Sequence, residues 1–532
     1  MLDQRCLAPH AIAYHASASP DAVAIQHVDG PRLTYAELHH EALAWAGAFA
    51  ALEIGARTHV ATMLTNRFEA HRTMVALGWL CAVEVPLNTA FLGRMLHYAL
   101  ELADVTVLVT ESQFVDRVLA IAPELPLLHT VVVVDVDEPG FDAAPANIRL
   151  VGLAALLAGA ASNATTFAGP LDRDTAALMF TSGTTGASKA VITPWAVVYQ
   201  NWSWVPDDTL AEGLGLYCAM PLFHNSGRGA FNYAMVRGAR FVMRDKFSAS
   251  SFWSDVRHHR CEAAALVGPM TALLWSAPEL PDDADNPLRS VVLGPMIPEM
   301  EQFKKRFGVR VTTTYGQTEI GCPLASGWDH GPPTTCGRVR TDYPWPEIRL
   351  ANEFDEPVEQ GAVGEMLVRT RAPWSMNAGY YKMPAQTATA WRNGWFHTGD
   401  AFVLDEVGNY AFLDRMRDTI RRRGENISSF EVENAVVEHP AVIEVAAIGV
   451  PAALGEDEVF VAVIVRDRTT FDPAELVAFL ADRMPRFMVP RYVDVVDDFP
   501  RVETSLRVKK TELRERGVTA TTWDRESAGV TE

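Results

Sequence analysis

The sequence predicts a layered α/β fold: a large N-terminal domain with mainly parallel sheets, followed by a small α+β C-terminal domain. Three observations predict it. Strand-like apolar runs alternate with helical patterns over residues 34–135. The 532 residues exceed what one core serves, roughly 250–300 residues. From Asp414 the texture turns densely charged before short strands and helices resume.

Each element has a local cause. Thr34 followed by Glu37 forms a capping box, and Leu38, Ala42, Trp45, Phe49 and Leu52 recur behind it at helical spacing, with Gly55 closing the helix. Val60 to Leu64, Val83 to Pro86, Val105 to Val109 and Val131 to Asp135 read as short strands separated by helices. Residues 143–170, rich in Ala, Gly, Ser and Asn, read as a surface connection. Ala176 to Phe180 and Ala190 to Thr193 predict two strands, Pro194 ending the second. Beyond Asp414, strands are expected at Val442 to Val450, Val459 to Val465 and Tyr492 to Val496, with helices near Glu431 to Glu438 and Pro473 to Met484. Ser428 with Glu431 is a second capping box. The expected domains are residues 1–414 and 415–518, and residues 519–532 form a tail that frays after Gly517.

Composition excludes several functions. Forty-six basic against 66 acidic residues leave a formal charge of −20, which argues against a nucleic-acid partner. The six scattered cysteines form no metal-site spacing and suit reduced thiols of a cytoplasmic protein. No secretory leader opens the chain, and the longest apolar stretch, Thr73 to Leu87, contains Glu84 and is too short to span a bilayer. A homo-oligomer is compatible with all of this.

The stretch "FTSGTTGASKAV", residues 180–191, carries the first chemical signal. Thr181, Ser182, Thr184, Thr185 and Lys189 offer donors for phosphate oxygens, and Gly183 and Gly186 allow close backbone approach. It is not a Walker loop, because Lys189 leads into a strand and not a helix. On composition alone, an ordinary polar hairpin loop is an equal reading.

Five further stretches accompany it in order: "PLFH" (221–224), "YGQTE" (315–319), "GWFHTGD" (394–400), "DRMRD" with "RGEN" (414–426) and "RVKKTELR" (507–514). Together they resemble the adenylate-forming superfamily of acyl-CoA synthetases, adenylation domains and luciferases. Within it, "KFSASSFW", "GENISSFEVEN" and "RFGVRVTTTYGQTE" look most like crotonobetaine/carnitine-CoA ligases and neighbouring acyl-CoA ligases.

The resemblance implies the adenylate-forming fold with a mobile C-terminal domain. It implies an ATP-dependent acid–thiol ligase: a carboxylic acid and Mg-ATP give acyl-AMP and pyrophosphate, and coenzyme A then takes the acyl group, as in fatty acid metabolism. ATP, Mg²⁺ and coenzyme A are the implied cofactors and co-substrates. Residues 181–186 and Lys189 would hold the β and γ phosphates. Glu319 is the implied Mg²⁺ ligand, and Thr318 would donate to the α-phosphate. Tyr315, Gly316 and Gln317 belong to the same nucleotide motif. Gly294 and Pro295 fall at the adenine slot, in "LGPMIP" where relatives have Gly-Gly-Ala. Asp400 matches the ribose ligand, assisted by Arg415, with Arg417 at the hinge. Arg423, Gly424 and Glu425 would border the pantetheine tunnel. His224 corresponds to an aromatic gate between acyl pocket and thiol tunnel, with a purely structural histidine as the other reading; the absence of a nearby Asp argues against an α-amino acid substrate. The family's C-terminal lysine is replaced: Arg507 aligns with it, and Lys509 lies one register shift away. An acyl-AMP ligase loading a carrier protein and a weakened, regulatory nucleotide-binding protein are the alternatives.

Overall fold

In the computed structural model the described residues are 2–136, 145–160, 166–181, 188–329, 331–415, 420–422, 425–427, 429–451, 457–481, 483–484, 486–501 and 508–529. They divide into two compact units: Met1–Ile348 with Val368–Phe396, and Arg349–Leu367 with His397–Glu532.

The first unit is built on two seven-stranded sheets. One runs Arg149–Gly152, Thr130–Val133, Val107–Thr110, His59–Met63, Val83–Pro86, Thr175–Thr181 and Lys189–Pro194. Its neighbours are parallel except the last two strands, which form an antiparallel hairpin. The other runs Arg310–Thr313, Ser290–Gly294, Cys261–Val267, Gly215–Cys218, Arg240–Met243, Val23–His27 and Arg32–Thr34, again parallel but for the final pair. Parallel strands need both faces covered, which explains why they read as continuous apolar runs.

The helix Tyr35–Ala50 shows how the cover forms. Glu37 N donates to Thr34 Oγ1 at 3.2 Å and Thr34 N to Glu37 Oε2 at 2.8 Å, closing the expected capping box. Leu38, Ala42, Trp45 and Phe49 then fall on one buried stripe, in the same core as the helix Phe68–Trp79. The helix ends at Ala50, and the positive φ of 61° is taken by Glu53, not by Gly55.

One charged pair lies inside this core. Arg228, on the helix Asn225–Val236, donates to Glu84 Oε2 at 2.8 Å, while Thr62 Oγ1 donates to Glu84 Oε1 at 2.7 Å. Both charged groups are buried. Glu84 was an interruption in an apolar run; it is the anchor for this helix.

The second unit holds most of a four-stranded sheet, ordered Pro346–Ala351, Gly364–Thr370, Phe396–Leu404 and Tyr410–Arg415. A further sheet follows, ordered Val442–Pro451, Asp457–Val465, Tyr492–Val495 and Trp523–Asp524. Ser429–Val437 and Pro473–Ala481 are its helices, and Val432, Val461 and Leu476 share its core. The adenylate-forming α/β architecture is thus present, with strand ends within a residue or two of expectation. The capping residue Ser428 lies outside the described residues.

Two expectations are corrected. Within 143–170, Arg149–Gly152 joins the edge of the first sheet and Leu153–Ala160 is a helix. The apolar run Ile148 to Ala158 was masked by averaging with the polar residues around it. The region after Gly517 is not frayed: Trp523 pairs with Val493, Arg525 N donates to Arg491 O at 3.0 Å, and Arg525 is buried. Backbone pairing and one tryptophan leave no alternation to read. All six cysteines are free thiols. Among the described residues no helix is long and apolar enough to cross a membrane.

Removing one member of a buried ion pair strands the other charge. Arg228→Met should therefore lower the unfolding free energy in urea by about 3–5 kcal/mol, and adding Glu84→Gln should restore most of it.

Candidate active site

In parallel sheets, ligands gather beyond the C-terminal ends of the strands. Register sets Val267 beside Gly294 and Leu293 beside Thr313, and sets Cys218 beside Ala265. The segments leaving that edge include Pro221–His224, Pro295 and Tyr315–Glu319, so the strand order itself gathers three of the sequence-predicted pieces.

Tyr315–Glu319 is part of a tight turn. Gln317 N donates to Gly321 O at 3.1 Å and Gly321 N returns to Gln317 O at 2.9 Å. A Cβ on Gly316 would come within 2.5 Å of Gly321 O, and Gly321, at φ +63°, would drive one into the Gln200 side chain. Gln200, fully buried, fixes the exit of the turn: its Nε2 donates to Ile320 O at 2.8 Å and its Oε1 accepts from Cys322 N at 3.1 Å. Arg340 locks the next layer, donating to Gln200 O at 3.1 Å and Cys322 O at 3.3 Å while paired with Asp342.

Thr318 and Glu319 sit at the tip of this turn. The Glu319 carbonyl accepts from Asn377 N at 2.9 Å and Asn377 Nδ2 at 2.8 Å, and its carboxylate Oε1 accepts from the Tyr380 hydroxyl at 3.1 Å. Burial, reinforced by the Glu319 charge, holds the Tyr380 phenol far above its ordinary range, so it stays a donor.

The same tyrosine reaches Lys189. Lys189 opens the strand Lys189–Pro194, opposite Thr181 in register. Its ammonium lies 4.5 Å from the centroid of the Tyr380 ring, a cation–π distance. Residues 378–381 run antiparallel to that strand: Ala378 N donates to Ile192 O at 3.0 Å, Ile192 N to Gly379 O at 3.0 Å and Tyr381 N to Ala190 O at 2.8 Å. Among the described residues Lys189 has no ion-pair partner.

His224 is the N-cap of the helix Asn225–Val236, and its carbonyl accepts from Arg228 N at 3.0 Å. Its ring lies 5.1 Å from that of Phe223. The next residue, Asn225, is half-buried, and neither of its amide atoms has a hydrogen-bond partner among the described residues. Trp202 is buried, its Nε1 donating to Ser226 O at 3.1 Å, which makes it part of the support of this segment.

In the second unit Asp400 is buried and stands opposite Arg415 in an antiparallel pair. Its backbone N donates to Thr398 Oγ1 at 3.1 Å. Glu365 accepts from Gly399 N at 2.9 Å and lies 3.0 Å from His397 Nδ1, bracing the same strand. Glu425 pairs with Arg422 across a two-stranded ribbon. Of the terminal lysines, Lys510 is committed to Ser429 and Glu433, whereas exposed Lys509 pairs with Glu512 at 2.9 Å. Exposed pairs of that kind hold weakly. Ser182, Gly183, Thr184, Thr185, Gly186, Arg417, Arg423, Gly424 and Arg507 lie outside the described residues.

Sequence reasoning missed Gln200, Arg340, Asn377 and Tyr380. The one visible signal was the turn chemistry of "NAGYY", with Gly379 at φ +105°. No group of three His, Cys, Asp or Glu gathers among the described residues. A single carboxylate such as that of Glu319 suffices for a cation that brings phosphate and water ligands of its own, as Mg²⁺ does.

Known proteins resemble this chain in sequence and in fold. The AMP-binding enzyme family matches residues 12–381, and the AMP-binding enzyme C-terminal domain matches residues 431–505. The crotonobetaine/carnitine–CoA ligase of Salmonella heidelberg strain SL476 is 30% identical over 494 residues, spanning 90% of this chain and 92% of that one. ATP-bound MatB from Rhodopseudomonas palustris superposes with a TM-score of 0.83 at 25% identity, covering 96% and 98% of the two chains. The o-succinylbenzoate CoA synthetase of Bacillus subtilis, solved with its acyl-adenylate intermediate, shares the fold at a TM-score of 0.80 and 23% identity, covering 95% and 98%.

Gln200→Leu removes both supports of the turn exit and leaves two buried backbone groups unpaired. It should cost about 2–4 kcal/mol in urea unfolding, and displacement of Thr318 and Glu319 should slow carboxylate-dependent pyrophosphate release roughly ten- to a hundredfold.

Proposed function

The chain belongs to the AMP-binding enzyme family, and from that premise we propose how its own residues carry the reaction. It is a ligase that activates a carboxylic acid with ATP, forming an acyl-adenylate and releasing pyrophosphate, and then transfers the acyl group to the thiol of coenzyme A with release of AMP. The observation that carries this reading is the meeting of Lys189 and Glu319 on Tyr380, beside the glycine-rich loop.

Lys189 and the hydroxyls and backbone of residues 181–186 bind the β and γ phosphates. Glu319 would hold the Mg²⁺ that accompanies ATP, and the ion would neutralise phosphate charge. Thr318 donates to the α-phosphate as the acid's oxygen attacks and the bond to pyrophosphate breaks. Gly294, Pro295 and Tyr315 to Gln317 line the base and sugar. Asp400 accepts from both ribose hydroxyls, with Arg415 alongside. Arg507 supplies the terminal cation, and Arg423, Gly424 and Glu425 border the path of the pantetheine arm. For catalysis, residues 1–414 and 415–518 act as the two bodies, turning about Arg417.

The acid is proposed to carry an uncharged acyl chain or ring, with a hydrogen-bonding group, beyond its reacting carboxylate. The segments 224–231, 267–270, 294–297 and 320–322 contain no Asp or Glu. They give a quaternary ammonium, as in carnitine, no anionic partner, while the Asn225 amide awaits one. His224 caps the helix next to it and is proposed as the gate to the thiol.

A panel of carboxylic acids with ATP, Mg²⁺ and coenzyme A tests this. Pyrophosphate release that depends on an acid with an uncharged chain or ring, followed by thioester, is expected; adenylate that needs a carrier protein, or binding without turnover, would refute it. In the same assay Lys189→Ala should raise the KM for ATP roughly ten- to a hundredfold, the worth of a charge-assisted phosphate contact.

The terminal cation has its own test. Arg507→Ala should lower pyrophosphate release roughly a hundredfold or more while Lys509→Ala leaves it near wild type. The reverse result would move the role to Lys509.

A further inference from the structure

We infer that Tyr380 is a positioning residue that sets Glu319 through its hydroxyl and Lys189 through its ring, joining the metal-side carboxylate and the phosphate-side ammonium on one rigid side chain. This rests on the reading of Lys189 and Glu319 as the two groups that handle Mg-ATP.

Three observations carry it. The hydroxyl lies 3.1 Å from Glu319 Oε1 and the ring centroid 4.5 Å from Lys189 Nζ. The ring cannot swing away, because it packs with Ala177, Met179 and Val191 of the hairpin that brackets the phosphate loop. Its backbone is fixed on both sides, by the bonds to Ala190 and Ile192 and by Asn377, which holds the Glu319 carbonyl.

The consequence is geometric. The residue with the metal's carboxylate comes from one sheet and the lysine from the other. Left alone, a carboxylate and an ammonium would close on each other. Donation to one carboxylate oxygen turns the other toward a cation, and the ring holds the ammonium by its face without neutralising it. Residues that orient a metal ligand in this way commonly control metal affinity as strongly as the ligand's own geometry does.

Two variants separate the hydroxyl from the ring. Tyr380→Phe keeps the ring and the core but loses the donor. Tyr380→Leu loses both. Binding of Mn²⁺ to the enzyme in the presence of ATP is followed by electron paramagnetic resonance, ATP binding without metal by calorimetry in chelator, and folding by thermal melting. Tyr380→Phe should weaken Mn²⁺ binding about tenfold or more, with ATP binding in chelator and the melting temperature near wild type. Tyr380→Leu should weaken ATP binding in chelator as well, by about threefold to thirtyfold, the range of a cation–π contact. Unchanged Mn²⁺ binding in the Phe variant, or equal ATP affinity in both variants, would overturn the inference. Wild-type protein that binds no ATP at all would overturn the reading of the site itself, so the two failures are told apart.

Discussion

Four backbone residues, 378–381, hold this site together. They extend the hairpin of Thr175–Thr181 and Lys189–Pro194, and the Asn377 that precedes them grips the Glu319 turn. Without that stitch, the lysine and the glutamate would belong to two separately built sheets. With it, their relative position is set by backbone hydrogen bonds, whose geometry is far less adjustable than that of long side chains.

The buried Glu84–Arg228 pair extends the same constraint into the core. Glu84 sits on the strand Val83–Pro86, beside Ala177 of the strand that leads into the phosphate loop. Arg228 sits one helical turn after His224. The pair therefore ties the helix Asn225–Val236 to the sheet that carries Lys189. A buried pair contributes little net stability against apolar residues of equal volume. Its value lies in direction, because slipping the helix by a turn would leave both charges unpaired.

How much of this was legible in the sequence follows from the range of each interaction. The capping box at Thr34 and Glu37 and the alternation of runs over residues 34–135 depend on neighbours within a few positions, so they could be read directly. So could the strand after Lys189 and the run around Glu319. The edge strand Arg149–Gly152 and the strand at Trp523 could not, since each is defined by pairing with a strand well back along the chain and is too short to give a periodic signal of its own. Gln200, Asn377 and Tyr380 were hidden for the same reason. Each acts on a residue remote in sequence: Gln200 on Ile320, Asn377 and Tyr380 on Glu319. Nothing around "VYQN" or "NAGYY" points there. Asp400 and Arg415 lie between these extremes: the motifs named both residues, but only strand register put them opposite one another.

The chemistry of the supporting residues is also selective. The turn bearing Thr318 and Glu319 is held by two amide side chains and a phenol, all neutral, and the nearby guanidinium of Arg340 is balanced by Asp342. A charged support would add its own field at short range, where few water molecules screen it. An anionic brace beside Glu319 would compete for the cation, and a cationic one would pull phosphate away from Lys189. Neutral donors and acceptors satisfy the buried backbone without either effect. Among the described residues the supports of this turn therefore add little charge beside Lys189 and Glu319, which suits the proposed reaction, in which charge moves from an α-phosphate to pyrophosphate.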